Sequence, residues 1–152
     1  MVDANIYQVR IAEASDSYRI WEIRNNHLLR KNFRNPQPIL LEEHELWFEN
    51  QYFISKKNFC YVIVRDNNYV IGYCRLDYDS NRRLYVLSIA IEPDSQGKGL
   101  GDTLLLRVLD LFKQNEKILA EIKKDNYASV NLFTKHKFLL KKQDNDYYYL
   151  ER

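Results

Sequence analysis

The sequence predicts a mixed α/β fold, one sheet with helices on both sides, and three observations carry that prediction. Short runs rich in Val, Ile and Tyr alternate with stretches of helical period in the order β-α-α-β-β-β-α-β-α-β-β. The run RLYVLSIAI, Arg83 to Ile91, is apolar almost without alternation, as a strand buried on both faces near the middle of a sheet would be. Three of the chain's four glycines, Gly97, Gly99 and Gly101, stand between that strand and the next helical stretch. A length of 152 residues fits one domain, 1–152, with one principal site.

The elements follow in order. A strand is expected from Ile6 to Ala12, then a helix from Asp16 to Asn25 with Ser15 or Asp16 as N-cap. Pro36 and Pro38 interrupt the chain before an amphipathic helix, Leu41 to Phe53, that presents Leu41, His44, Trp47 and Phe48 on neighbouring turns. Strands Phe59 to Asp66, Tyr69 to Asp77 and Arg83 to Ile91 are joined by short polar turns. A helix from Gly99 to Gln114 turns Leu104, Val108, Leu111 and Phe112 inward. Ile118 to Ile122 is a strand and Ala128 to Lys135 a short helix. Phe138 to Lys142 and Asp146 to Glu151 close the chain as a hairpin around Asp144-Asn145.

Composition narrows the function. Hydrophobic residues make up 45% and there are 12 tyrosines, which fits a packed globule. The formal charge is only +2 and the basic residues are dispersed, so a nucleic-acid surface is not expected. The first residues lack the basic start and apolar run of a secretory signal, and nowhere do about 18 apolar residues run together. A cytoplasmic protein without membrane contact is expected. Pairing Phe59–Asp66 with Tyr69–Asp77 around Asn67-Asn68 would set Cys60 opposite Arg75 and Cys74 opposite Tyr61. The two thiols then point to opposite faces and form no disulfide. Three scattered histidines and two cysteines give no metal-ligand spacing, so no metal site is expected.

The glycine stretch SQGKGLG ends a strand and feeds a helix. The helix's first N–H groups have no internal partners there, and glycine lets a ligand approach the backbone closely, so a phosphate or pyrophosphate can be held by amides. A phosphate loop of the NTPase kind needs Lys followed by Ser or Thr, and Lys98 is followed by Gly99. A dinucleotide fingerprint has Glu121 at the right distance for a ribose. However, Asp102 stands in place of its third glycine, and about 50 residues remain, too few for a second half.

The run I89-A-I-E-P-D-S-Q-G-K-G-L-G-D-T-L-L resembles the acetyl-CoA motif of the GNAT superfamily of N-acetyltransferases, with Gln96, Gly99 and Gly101 in its signature places. The run from Leu119 to Phe138 resembles the second motif of that superfamily, with Glu121 on a strand, Asn126 five residues on and an aromatic seven beyond. The resemblance implies the GNAT fold over the whole chain, acetyl-CoA as cosubstrate and acetyl transfer to a primary amine. It implies that the amides of Gly97, Lys98, Gly99, Leu100, Gly101 and Asp102 hold the pyrophosphate. Main-chain groups of Ile89 and Ile91 would meet the pantetheine arm in a splay between strands, with Gln96, Asn126 and Phe133 beside the cofactor. Amines are protonated at neutral pH, so a base is required, and Glu121 is the candidate. Two places depart from the pattern. Phe133 stands where many members have a tyrosine that protonates the leaving thiolate, which leaves Tyr127, Ser129, His136 or water for that role. Lys137 replaces the glycine before Phe138.

The region W21-E-I-R-N-N-H, Arg30 and L41-E-E-H-E-L-W47 resembles elements of GNAT enzymes that acetylate nucleotide-linked amino sugars, although Ile23 stands where those enzymes have Trp. Arg24, Asn25, Arg30, Glu43, His44 and Trp47 are the substrate-binding candidates that the resemblance implies, supplying cations, hydrogen bonds and a ring face. A ribosomal-protein-like N-terminal acetyltransferase and a non-catalytic acyl-CoA-binding module are the alternatives. The partner is a small-molecule amine, and the assembly a monomer or homodimer.

Overall fold

A computed structural model of the protein describes residues 6–152; Met1–Asn5, part of the stretch read for a secretory signal, lie outside them. Strands β1 (Gln8–Ile11), β2 (Phe59–Arg65), β3 (Tyr69–Asp79), β4 (Leu84–Ile91), β5 (Lys117–Lys123), β6 (Leu139–Gln143) and β7 (Tyr147–Glu151) form one sheet in the order β1-β2-β3-β4-β5-β7-β6. The unalternating apolar strand, β4, is in the middle, as its composition requires. Helices α1 (Ser17–Asn25), α2 (His27–Arg30), α3 (Leu41–Glu49), α4 (Leu100–Leu111) and α5 (Tyr127–Lys135) cover the two faces. The short α2 is additional to the expected order, and the helix expected to run to Phe53 ends at Glu49 and continues as a wider turn, Asn50–Ile54.

The sheet separates two cores by strand alternation. Tyr61, Ile63, Cys74 and Leu76 pack under α4 and α5 with Leu104, Leu105, Val108 and Phe133. Cys60, Val62, Val64 and Tyr73 pack under α1 and α3 with Ile20, Ile23 and Phe48. Each fully buried Leu or Ile contributes about 1.5–3 kcal/mol relative to exposure. Leu111, expected inward, is exposed because α4 ends there; the chain turns and Phe112 takes the inward place, edge-on to Tyr85.

The β2–β3 hairpin places Cys60 opposite Arg75 and Tyr61 opposite Cys74, as predicted, and the two free thiols lie in different cores. The turn is different. It spans Asp66–Asn68, and Val64 pairs with Val70 while Ile63 pairs with Gly72, so Ile71 is an inserted residue that restores the predicted register.

One irregularity opens the molecule. β4 pairs with β5 in parallel only over Leu84, Tyr85 and Val86, whereas β5 stays paired with β7 along Leu119–Lys123. From Leu87 to Ile91, β4 has no strand neighbour on that side, and a gap opens between the two halves of the sheet.

Candidate active site

A cleft of about 620 Å³ occupies that gap, within the range of small-molecule sites. Its first half is made of backbone. Glu92 N–H donates to Ile71 O at 2.8 Å, so alternation turns the main-chain groups of Ile91 and Ile89 away from β3 and into the gap. Ile91 O accepts the Gln96 side-chain amide at 2.9 Å, while Ile89 is left open to a ligand. Gly97 and Gly99 adopt φ of 78° and 76°, left-handed values that side chains disfavour. Gly99 caps α4, and the first main-chain pair inside that helix is Thr103 N–H to Gly99 O. The N–H groups of Leu100, Gly101 and Asp102 therefore precede any internal partner. A methyl at Gly101 would meet Leu132 and Ile91 only at ordinary contact distance. Just ahead of the turn, Glu92 accepts from Ser95 Oγ at 2.9 Å and pairs with Arg19 of α1, which fixes the loop against the helix layer. Positive φ glycines, unpaired amides and an open strand edge fit an extended ligand that ends in phosphates.

The second half is made of side chains. On β5, alternation puts Ala120 and Ile122 in the α4 core and Glu121 on the opposite face with Tyr149 and Tyr147. Glu121 is the carboxylate of the cleft wall, and two guanidinium groups engage it: Arg34 at 2.9 Å and Arg82 at 3.4 Å. Arg34 also lies over the Tyr147 ring at 4.1 Å. Further along the wall are Arg24, Phe33, Tyr73 and Arg75.

Of the residues singled out from the sequence, Ile89, Ile91, Gln96, Gly97, Gly99, Leu100, Gly101, Glu121, Asn126, Phe133 and Arg24 line this cleft. Lys98 is exposed outside it. The Asp102 carboxylate turns to α5, accepting from His136 at 2.7 Å and pairing with Lys135 at 3.1 Å. His136 foremost, and then Lys135, hold its pKa below the usual value. That pairing keeps both Asp102 and His136 out of the cleft wall. Tyr127 is 73% exposed and is not part of the wall, whereas Ser129, two residues on, is. Asn126 caps α5, accepting from Ser129 N–H at 3.3 Å.

Five of the substrate candidates lie outside the wall. The Trp21 indole N–H and the Asn25 amide both donate to Ile39 O at 2.7 Å, and Asn25 accepts Ile39 N–H at 2.9 Å. Asn25 therefore anchors the end of the segment between α2 and α3. Arg24 holds the middle of that segment through Asn35 O at 2.8 Å. His44 is buried between Trp47 and Phe48; burial, against a hydrogen bond to the Ser17 backbone, pushes its pKa down to about 4. Trp47 packs in the same core, with the Arg75 guanidinium 5.1 Å from its ring centre. Glu43 is exposed, and Arg30 is half-buried and not part of the wall. Sequence reasoning missed Phe33, Arg34, Arg75 and Tyr147. The alternation Tyr73-Arg75-Asp77, polar residues on one face of an otherwise apolar strand, was the signal available for Arg75.

A backbone cradle for phosphates that runs into a carboxylate-bearing chamber defines a transferase with two substrates, one long and phosphorylated, the other small. The acetyltransferase (GNAT) family model matches residues 22–138. The L-amino acid N-acyltransferase MnaT of Escherichia coli is 30% identical over 131 residues, 82% of this chain and 74% of that protein. The L-methionine sulfoximine/L-methionine sulfone acetyltransferase of Salmonella typhimurium is 28% identical over 82% of this chain and 75% of its own length. Among solved structures, the phosphinothricin acetyltransferase of Sinorhizobium meliloti in complex with AcCoA superposes with a TM-score of 0.82 at 22% identity, covering 97% of this chain and 88% of that one. The chain belongs to the acetyltransferase (GNAT) family. It is an N-acetyltransferase with acetyl-CoA as cosubstrate, which removes the non-catalytic alternative.

Proposed function

We propose that the protein transfers an acetyl group from acetyl-CoA to a primary amine of a nucleotide-linked amino sugar, with Glu121 as the group that receives the amine. The observation that carries this reading is the position of Glu121, a carboxylate at the open β4–β5 gap and on the same sheet face as Arg24, Arg75 and the rings of Tyr73 and Tyr147. Amides of the Gly97–Asp102 turn hold the pyrophosphate, and Ile89 holds the arm through its main chain. Bound there, the cosubstrate supplies an electrophilic thioester carbon.

The acceptor arrives as an ammonium ion, and its carboxylate partner is already taken by Arg34 and Arg82. Binding is therefore an exchange, in which the ammonium replaces Arg34 on Glu121. Glu121, directly or through one water, then removes one proton from the ammonium, and the nitrogen lone pair forms the C–N bond as the C–S bond breaks; the second proton leaves the nitrogen as the adduct collapses and passes to the departing sulfur or to water. Phe133 has no proton to give the departing sulfur. Ser129 is the hydroxyl of the cleft wall on that side. A thiol with a pKa near roughly 8.5, by analogy with cysteine, also leaves readily as its anion.

A second reading is an L-amino acid acceptor, favoured by Arg34 beside Glu121, where an α-carboxylate would sit next to its amine, and by the names of the two relatives. Labelled acetyl-CoA offered with a UDP-linked amino sugar, L-methionine and Ser- or Ala-starting peptides separates these readings by which acceptor takes the label; the amino sugar is expected. Glu121→Gln should lower kcat by about 100- to 10,000-fold, the usual worth of a general base, with acetyl-CoA affinity retained. Full turnover in that variant would remove Glu121 as the base.

A further inference from the structure

The acceptor wall carries its charges at two separated places. Tyr73 and Arg75 on β3 stand opposite Ala90 and Ser88 on β4, and these share a sheet face with Glu121 on β5. Two strand spacings separate the main chains of Arg75 and Glu121, about 10 Å, and the β4–β5 gap widens that further. Arg75 is held on the far side, by Asp77 at 3.5 Å and the Trp47 ring, while Tyr52 O–H donates to Asp77 at 2.6 Å.

Arg75 Nε and Arg24 Nη1 are both buried without a hydrogen-bond partner. Asp77 serves Arg75, and among the described residues no carboxylate pairs with Arg24. Burial foremost presses the Arg24 pKa below its usual value, and the neighbouring Arg75 and Arg30 charges add to this against the effect of Tyr73. Two buried donors without partners and an excess of positive charge in a cleft wall are unfavourable in isolation. Both residues line the cleft, so an anion bound there would offset that charge, although the two buried nitrogens have no surface open to it.

We propose that Arg24 and Arg75 form the anion subsite of the acceptor, which makes the acceptor an elongated molecule with its amine and its phosphate at opposite ends. The inference rests on the reading of Glu121 as the amine end. It separates the two acceptor classes, because the amine and carboxylate of an α-amino acid share one carbon and cannot reach Glu121 and Arg75 together. An amino sugar with its amine across the ring from an anomeric phosphate carries its charges at opposite ends.

The test measures kcat/KM by thiol release for 4-amino-4,6-dideoxyglucose, its 1-phosphate, its UDP-linked form and L-methionine. The two phosphorylated sugars should exceed the free sugar by roughly 100-fold, the worth of a charge-assisted pair of contacts. Arg24→Gln and Arg75→Lys should each cut that ratio by about tenfold, with acetyl-CoA affinity retained by titration. If Arg75→Lys fails to fold, as melting curves would reveal, Arg24→Gln decides alone. Equal rates for free and phosphorylated sugars would overturn the subsite while leaving amine acetylation intact. A preference for L-methionine that Arg34→Gln abolishes would overturn it in favour of a compact acceptor. Acetylation of none of the four would instead break the proposed function itself.

Discussion

The two halves of the cleft are built from different materials. The cofactor half is main chain, and its parts lie within 14 consecutive residues, Ile89 to Asp102. The acceptor half is side chain, and its closest ion pair, Arg34 with Glu121, joins residues 87 apart in sequence. Backbone amides at a helix start recognise a phosphate whatever the surrounding side chains, so that half is the same in any chain folding this way. A wall of charged side chains is set by the residues themselves, and that is where one acceptor is told from another.

The sharpest way to break this contrast is Gly99→Glu. Gly99 is left-handed, which costs a side chain about 1–2 kcal/mol, and the new carboxylate would face the phosphates. Acetyl-CoA affinity should fall by more than about 1,000-fold, roughly 4 kcal/mol, in a calorimetric titration. Unchanged affinity would show that the turn is not the cradle.

The core under α1 and α3, on the acceptor half's side of the sheet, should be pH-sensitive. His44 is held neutral in the folded chain with a pKa of about 4, below the ordinary 6.5. The unfolded chain therefore binds that proton first, so the stability contributed by neutral His44 is full above pH 6.5 and is lost as pH falls toward 4. The loss should be at most about 3 kcal/mol. Urea unfolding at pH 7 and pH 4.5 should show this slope in the protein and lose it in His44→Phe; an equal slope in both would assign the effect elsewhere.

The same contrast explains what could be read from the sequence. Strand alternation and helical period located every strand and the helices except the one-turn α2, and the apolar β4 placed itself at the centre. Local patterns located the glycine turn because its geometry depends on neighbours in sequence. Arg24 and Asn25 were expected to touch an acceptor, yet Asn25, together with Trp21, holds Ile39, and so shapes the segment that carries Arg34. Their importance was legible, but their partners were not, since a hydrogen bond to a carbonyl 14 or 18 residues on leaves no pattern. Arg34 was invisible for the same reason: a guanidinium becomes part of a site only through what the fold brings to it.

Lys137 is a smaller test, on the cofactor side. It has φ of 67° at the end of α5, where its N–H donates to Thr134 O and Phe138 N–H donates to Phe133 O, the paired bonds of a helix stop that favours glycine. Lys137→Gly should stabilise the fold by about 1 kcal/mol by relieving that conformation. It should leave acetyl-CoA affinity alone, because Lys137 is outside the cleft wall. A fall in melting temperature would show that the lysine side chain contributes more than its backbone costs.

The smallest expected effect is the most informative about the acceptor. Arg34 is more than half exposed, and an exposed ion pair is worth about 0.2–1 kcal/mol. If Arg34 only occupies Glu121 until an ammonium replaces it, Arg34→Ala removes a competitor. The KM for the amine should then fall, by a factor of about 1.5 to 5. Arg82, tied to Asp79 at 2.7 Å as well as to Glu121, remains to orient the carboxylate. If Arg34 instead holds a carboxylate of the acceptor, the same substitution raises KM, and by more than an exposed pair can account for. The sign of that change distinguishes a wall whose anion site is at Arg24 and Arg75 from one in which both charges of the acceptor gather at Glu121.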